Sequence, residues 1–159
     1  MTLLDKNQSI AQEIGEILKA QNKTLSTAES CTGGKISSII TSFAGSSDYF
    51  KGGIIAYSNE VKINQLGVSS TDIEKGSAVS EKVAGQMAEG AKKQLLTDFA
   101  LATTGYAGPK GEKAGQVFIA FASAKKTKVM ECFFQGERKE IVNKASIKAL
   151  TILLSEIKK

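Results

Sequence analysis

The chain has 159 residues, 42% of them hydrophobic, which suits one domain over residues 1–159, and with 6% aromatics and no tryptophan the core is expected to be aliphatic. Its charge of +5 comes from scattered lysines, with Arg138 the lone arginine; this argues against a nucleic-acid reader and leaves solubility, or mild steering of an anionic small molecule. Histidine is absent, which excludes Ser-His-Asp and Cys-His catalysis, and Cys31 and Cys132 alone make neither a disulfide framework nor a zinc cluster.

Residues 3–21 place Leu3, Leu4, Ile10, Ile14 and Leu18 at helical spacing and predict an amphipathic helix. Polar residues arrive by Asp5, too early for a signal peptide, and no apolar run nears the ~18 residues of a membrane span. The expected location is therefore the cytoplasm, with free thiols and no membrane partner. Thr24 to Thr27 reads as a short strand. Gly33 and Gly34 open a second helix with Ile36, Ile39 and Ile40 on one face, closing near Ser42. Ala44 to Ser47 is a turn, Gly52 to Tyr57 an apolar and buried strand, and Asn59 to Leu66 a short helix ended by Gly67. Ser80 caps a third long helix with Val83, Met87, Ala91 and Leu95 inside. Phe99 to Thr104 is a strand running into Gly105–Pro109. Gly115 to Ala124 and Lys128 to Phe134 form a hairpin across Lys125–Thr127, so part of the sheet is antiparallel. Glu137 to Lys158 closes the chain as a helix with Ile141, Ala145, Ala149, Ile152 and Leu153 inward. This alternation predicts a three-layer α/β/α sandwich around a mixed, mainly parallel sheet.

Ligands of open α/β sheets bind beyond the carboxyl ends of the strands. Three loops suit that edge: Glu29 to Gly34, Tyr57 to Lys62, and Thr104 to Pro109. In the first, glycines and a helix start present backbone N–H groups to a phosphate or a developing oxyanion. The same run also fits a plain tight turn with Ser30 or Thr32 as cap. If Ser30 is a nucleophile, its base must replace histidine, and lysine is the usual substitute. Lys62 serves only if its pKa is lowered; otherwise it is one solvated lysine among 20. Tyr57 either assists proton transfer or packs at a strand end. Thr104-Gly105 and Gly108-Pro109 mark a close approach to a ligand or an ordinary loop. Arg138 clamps a phosphate or pairs with Glu137 or Glu140 at the surface.

The runs TAESCTGG (27–34), AGSSDYFKGGIIAYSNEVKINQLGV (44–68), GSAVSE (76–81), MAEGA (87–91) and TGYAGP (104–109) resemble the CinA C-terminal domain family, in order and over nearly the whole chain from about residue 8. Stand-alone members of that family are nicotinamide-nucleotide amidohydrolases, and larger ones add a molybdopterin-binding-like domain for which this chain is too short. The resemblance implies a metal-free, cofactor-free serine amidohydrolase that cleaves the carboxamide of nicotinamide mononucleotide (NMN), on an α/β/α fold. It makes Ser30 the nucleophile, Lys62 its base and Tyr57 a further catalytic group. Glu29, Thr32, Gly33, Gly34, Asn59, Thr104, Gly105 and Arg138 then surround the substrate, with Arg138 near the phosphate. Cys31, beside the nucleophile, reads as a small buried residue. Family habit adds a homo-oligomer. The chain departs from the family in a shorter Lys110–Gln116 loop, in Asn143 where an arginine is frequent, and in Tyr106 where isoleucine is commoner. Three other readings are a non-catalytic pyridine-nucleotide-binding module, a Ser-Lys hydrolase of another amide, and a DNA-associated competence factor, which the charge pattern does not favour.

Overall fold

Leu25–Glu29 (β1) is buried along its whole length, and the sheet is assembled around it. The computed structural model describes residues 2–159, and the side chains of all of these except Leu3, Leu4 and Asn7. The apolar role expected of Leu3 and Leu4 thus lies outside the described residues.

The five strands lie in the order β2-β1-β3-β4-β5, where β2 is Phe50–Ile55, β3 Phe99–Gly105, β4 Gln116–Ala122 and β5 Thr127–Phe133. β1 pairs in parallel with β2 and β3, while β4 is antiparallel to both β3 and β5. Four of the five strands therefore point one way. Because the reversed strand is interior, that single reversal makes two of the four ladders antiparallel.

Alternation along the strands divides the core. Leu101 of β3 and Ile119 of β4 face the layer of α1 (Leu3–Gln21), α2 (Lys35–Thr41) and α6 (Arg138–Ile157), where Ile14, Leu18, Ile36, Ile40, Leu150 and Leu153 meet them. Ala28, Ala100, Ala102 and Ala120 face the other way, toward Val83, Met87 and Ala88 of α5 (Glu81–Gln94). These small residues let α5 lie close on the sheet. α3 (Asn59–Leu66) packs beside α5 and contributes Leu66. This is the expected three-layer sandwich. No helix among the described residues is long and apolar enough to cross a membrane.

The differences from the sequence reading have local causes. The strand expected at Gly52 to Tyr57 starts at Phe50 and sits on the sheet edge, its residues alternately half-buried and exposed, with Ile55 54% and Tyr57 61% exposed. An apolar run by itself does not separate an edge strand from a central one. α4 (Ser70–Gly76) was not anticipated: it buries no side chain and so leaves no apolar period, and its start is fixed by Ser69, whose hydroxyl accepts from Asp72 N at 3.2 Å. Leu95, expected inside α5, caps it instead and is half-buried.

Gly90 shows how closely α5 meets α3. A Cβ there would lie 2.0 Å from the Leu66 carbonyl oxygen. Gly→Ala in a helix ordinarily stabilises by up to ~1 kcal/mol. Here the sign inverts, and Gly90→Ala is expected to cost about 1–3 kcal/mol in urea unfolding, as other overpacking changes do.

Candidate active site

The parallel strands β1, β2 and β3 end on the same side, and the three loops expected from the sequence converge there. They line a cavity of about 470 Å³ together with the start of α6 and the segment between α4 and α5. That volume is in the range of small-molecule sites.

Ser30 directly follows β1, and its N–H donates to Thr103 O at 3.0 Å, which ties the loop to β3. Lys62 comes from the first turn of α3. Ser58 caps that helix through Val61 N at 3.2 Å, and Gly67 ends it in a left-handed conformation. Lys62 and Leu66 are the buried residues of α3, one turn apart, so the lysine occupies what periodicity marks as a core position. Its Nζ lies 3.0 Å from Ser30 Oγ and 2.9 Å from the Ala56 carbonyl oxygen. The side chain is 2% exposed, and no carboxylate lines the cavity. Loss of hydration therefore pushes the amine below the usual lysine range; the Cys31 thiol opposes this only in part. Cys31 also lines the cavity, but burial raises its thiol to about 11. Of the two neighbours, it is the Ser30 hydroxyl that has the amine within hydrogen-bond distance.

The Glu29–Gly34 loop is built differently from the expectation. Glu29 and Thr32 do not line the cavity. The Glu29 carboxylate turns under the loop and accepts from Thr32 Oγ1 (2.7 Å), Ile36 N (2.9 Å), Ser37 N (3.0 Å) and Ser37 Oγ (2.7 Å). Thr32 Oγ1 lies 2.8 Å from Thr103 Oγ1 as well. Gly34, at φ +99°, is the N-cap of α2 and has no side chain to cap with, so Glu29 caps the helix from the end of the preceding strand. The N–H groups of Ile36 and Ser37 are thereby spent. Gly33 N donates to Ser30 O at 3.0 Å, whereas the N–H groups of Cys31, Thr32 and Gly34 meet no protein acceptor among the described residues. Of these three residues only Cys31 lines the cavity. Gly33 and Gly34 shape the turn and do not line the cavity.

Thr104 and Gly105 line the cavity wall. Thr104 Oγ1 donates to Ala78 O at 2.8 Å, joining β3 to the α4–α5 segment. Gly105 is required by β4 rather than by a ligand, since a Cβ would sit 2.7 Å from Gln116 O. Asn59, exposed at the start of α3, lies at the mouth. Tyr57 is also at the mouth, and its Oη accepts from Arg138 Nη2 at 2.8 Å; no hydrogen bond joins it to Ser30 or Lys62. Arg138 Nη1 donates to Gly108 O at 3.0 Å, so the guanidinium spans two loops instead of pairing with Glu137 or Glu140, which cap α6. Tyr106 came within the expected third loop, but sequence reasoning singled out neither it nor Lys110, Ala78 or Val79 as site residues. The TGYAGP run contained Tyr106 and the GSAVSE run Ala78 and Val79, but nothing in their pattern tells a wall residue from a loop residue. Among the described residues, no group of three or more His, Cys, Asp or Glu is placed to hold a metal ion.

Glu29→Gln replaces one acceptor oxygen with an NH2 that faces N–H donors. The expected loss is about 1–3 kcal/mol of stability by thermal or urea unfolding. Glu29→Ala is expected to cost more, since it uncaps α2 entirely.

Comparison with known proteins came to one family. The profile described as the CinA C-terminal domain matches residues 7–157. A "CinA-like protein" of Rippkaea orientalis is 46% identical over 153 residues, covering 92% of this chain and 36% of its own length. A "CinA-like protein" of Flavobacterium psychrophilum is 43% identical over 159 residues, covering 98% of this chain and 38% of its own length. The chain thus spans little more than a third of these curated relatives. Two solved structures align almost end to end. The competence damage-inducible protein A from Klebsiella pneumoniae has a TM-score of 0.93 at 32% identity, covering 96% of this chain and 97% of that one. A CinA superfamily protein from Escherichia coli has a TM-score of 0.88 at 33% identity, covering 98% and 90%.

Proposed function

The chain belongs to the CinA C-terminal domain family, and we propose that it is a serine amidohydrolase that converts the carboxamide of nicotinamide mononucleotide to the carboxylate, with release of ammonia. The observation that carries this reading is the 3.0 Å approach of the buried Lys62 amine to Ser30 Oγ on the floor of a nucleotide-sized cleft.

The steps follow from the geometry. Neutral Lys62 takes the Ser30 proton while the Ala56 carbonyl holds its amine in place. Ser30 Oγ attacks the carboxamide carbon, forming a C–O bond as the C=O bond becomes an oxyanion. The N–H of Cys31, next to Ser30 and on the cleft wall, is the donor available to that charge, one such donor being worth roughly 3 kcal/mol in comparable acyl-transfer sites. The C–N bond then breaks, and the Lys62 ammonium gives its proton to the departing amine. Water, deprotonated by Lys62, hydrolyses the nicotinyl ester to the acid and frees Ser30. Arg138 at the mouth is the partner for the phosphate: its bonds to Gly108 and Tyr57 use two of its five N–H donors, and the others are open to charge-assisted contacts.

Ammonia release from NMN, without added metal, tests the reading. The wild type is expected to turn over, and Ser30→Ala and Lys62→Ala each to lose at least about 10³-fold in kcat. Full activity in Ser30→Ala, or NMN binding by the wild type without turnover, refutes it. kcat/KM is expected to rise with pH as Lys62 loses its proton, with an inflection below the ordinary lysine value.

The same burial has a stability signature. Between the lowered folded pKa and the ordinary unfolded one, the unfolded chain binds one more proton at Lys62, so stability rises with pH across that window. Lys62→Met is expected to lack this rise in unfolding curves measured from neutral to alkaline pH.

A further inference from the structure

Three basic side chains line the cleft. Lys62 stands on the floor and Lys110 and Arg138 at the mouth, with no Asp or Glu among the lining residues. A substrate of the class proposed above brings two opposite charges: an anionic phosphate and a ring made cationic by its N-ribosyl bond. The phosphate finds cations. The ring finds no carboxylate, and three basic side chains share the cleft with it.

Of the chain's three tyrosines, Tyr49 is buried at 3% exposure, and the other two, Tyr57 and Tyr106, are both exposed and both line this cleft. They come from different elements, Tyr57 from the loop after β2 and Tyr106 from the end of β3. Each is fixed through its hydroxyl. Tyr57 Oη accepts from Arg138 Nη2 at 2.8 Å, and Tyr106 Oη lies 3.2 Å from Ser77 Oγ, which itself accepts from Val79 N at 3.1 Å. Both hydroxyls are thus engaged by protein groups, which leaves the rings as the contact surface offered to a ligand. An aromatic face carries partial negative charge and attracts a cation without adding a full charge to the site.

We propose that Tyr106 and Tyr57 form an aromatic seat for a cationic pyridinium ring, making the cleft selective for N-ribosylated pyridinium carboxamides over their uncharged dihydropyridine counterparts. This rests on the NMN reading. Tyr106 is the residue that decides the selectivity, because Tyr57 is also coupled to Arg138 and hence to the phosphate.

The test is calorimetric binding to the Ser30→Ala protein, which removes turnover, with NMN and its reduced, uncharged form as probes at fixed ionic strength. NMN is expected to bind about tenfold more tightly than the reduced form. Adding Tyr106→Ile is expected to weaken NMN five- to tenfold and the reduced form less than twofold. Tyr106→Phe, which keeps the ring and loses the tether to Ser77, is expected to retain most of the preference. Equal binding of the two probes, an equal loss for both in Tyr106→Ile, or no binding of NMN overturns the proposal. The outcome separates from that of the hydrolase reading. Ammonia release without charge preference sinks only the aromatic seat, whereas charge-selective binding by a wild type that releases no ammonia sinks only the hydrolase.

Discussion

A lysine amine enclosed at the end of a sheet, with a hydroxyl and a carbonyl beside it and no carboxylate in the cleft, is the constraint on which the site depends. Lys62 is in that position. Burial without a counter-charge disfavours its charged form. A surface lysine gives up nothing to keep its proton; this one does. The same enclosure leaves Cys31 protonated, since a thiolate there would be equally short of solvent. Of two adjacent candidates, a thiol and a hydroxyl, only the second has the buried amine within hydrogen-bond distance.

Holding that pair together requires several elements to agree. β1 and β3 fix Ser30 through the bond from its N–H to Thr103. The edge strand β2 delivers Ala56, whose N–H donates to Glu29 O at 2.8 Å and whose carbonyl accepts from Lys62. α3 presents Lys62 at the right height because α5 supports it at Gly90 with no room for a Cβ. Beneath Ser30, Glu29 takes four hydrogen bonds and turns a Gly-Gly entry into a capped helix. The tight turn that carries Ser30 to the cleft has its charge-bearing residue pointing inward, away from the cavity.

The upper part of the cleft has a different character. Arg138 joins α6 to Tyr57 and to the loop after β3, and Thr104 joins β3 to the α4–α5 segment. These are polar contacts, each individually weak. The floor is buried, with Ser30 8% and Lys62 2% exposed and in hydrogen-bond contact. The mouth is polar and exposed at Tyr57, Asn59 and Arg138.

Much of this was legible in the chain. The 3.6-residue spacing of Ile14, Leu18, Val83, Met87, Ala145 and Ala149 marked the helices, and glycines at 33–34 and 67 marked where chain direction changes. The absence of histidine left lysine as the base for a serine, and resemblance rather than spacing singled out Lys62. Long-range geometry was not legible. Whether Gly52–Tyr57 is central or at an edge depends on which strands pair with it, and β2 has a partner on one side only. Whether Glu29 faces a ligand or the protein depends on where α2 begins relative to β1, which local sequence does not encode. Composition and periodicity therefore determined the elements and the available chemistry, because both are properties of residues near in sequence. Tertiary structure decided which lysine loses its water and which carboxylate serves as a cap, because Lys62 is enclosed against Ser30, 32 residues away, and Glu29 is turned under the loop only by the way α2 leaves β1.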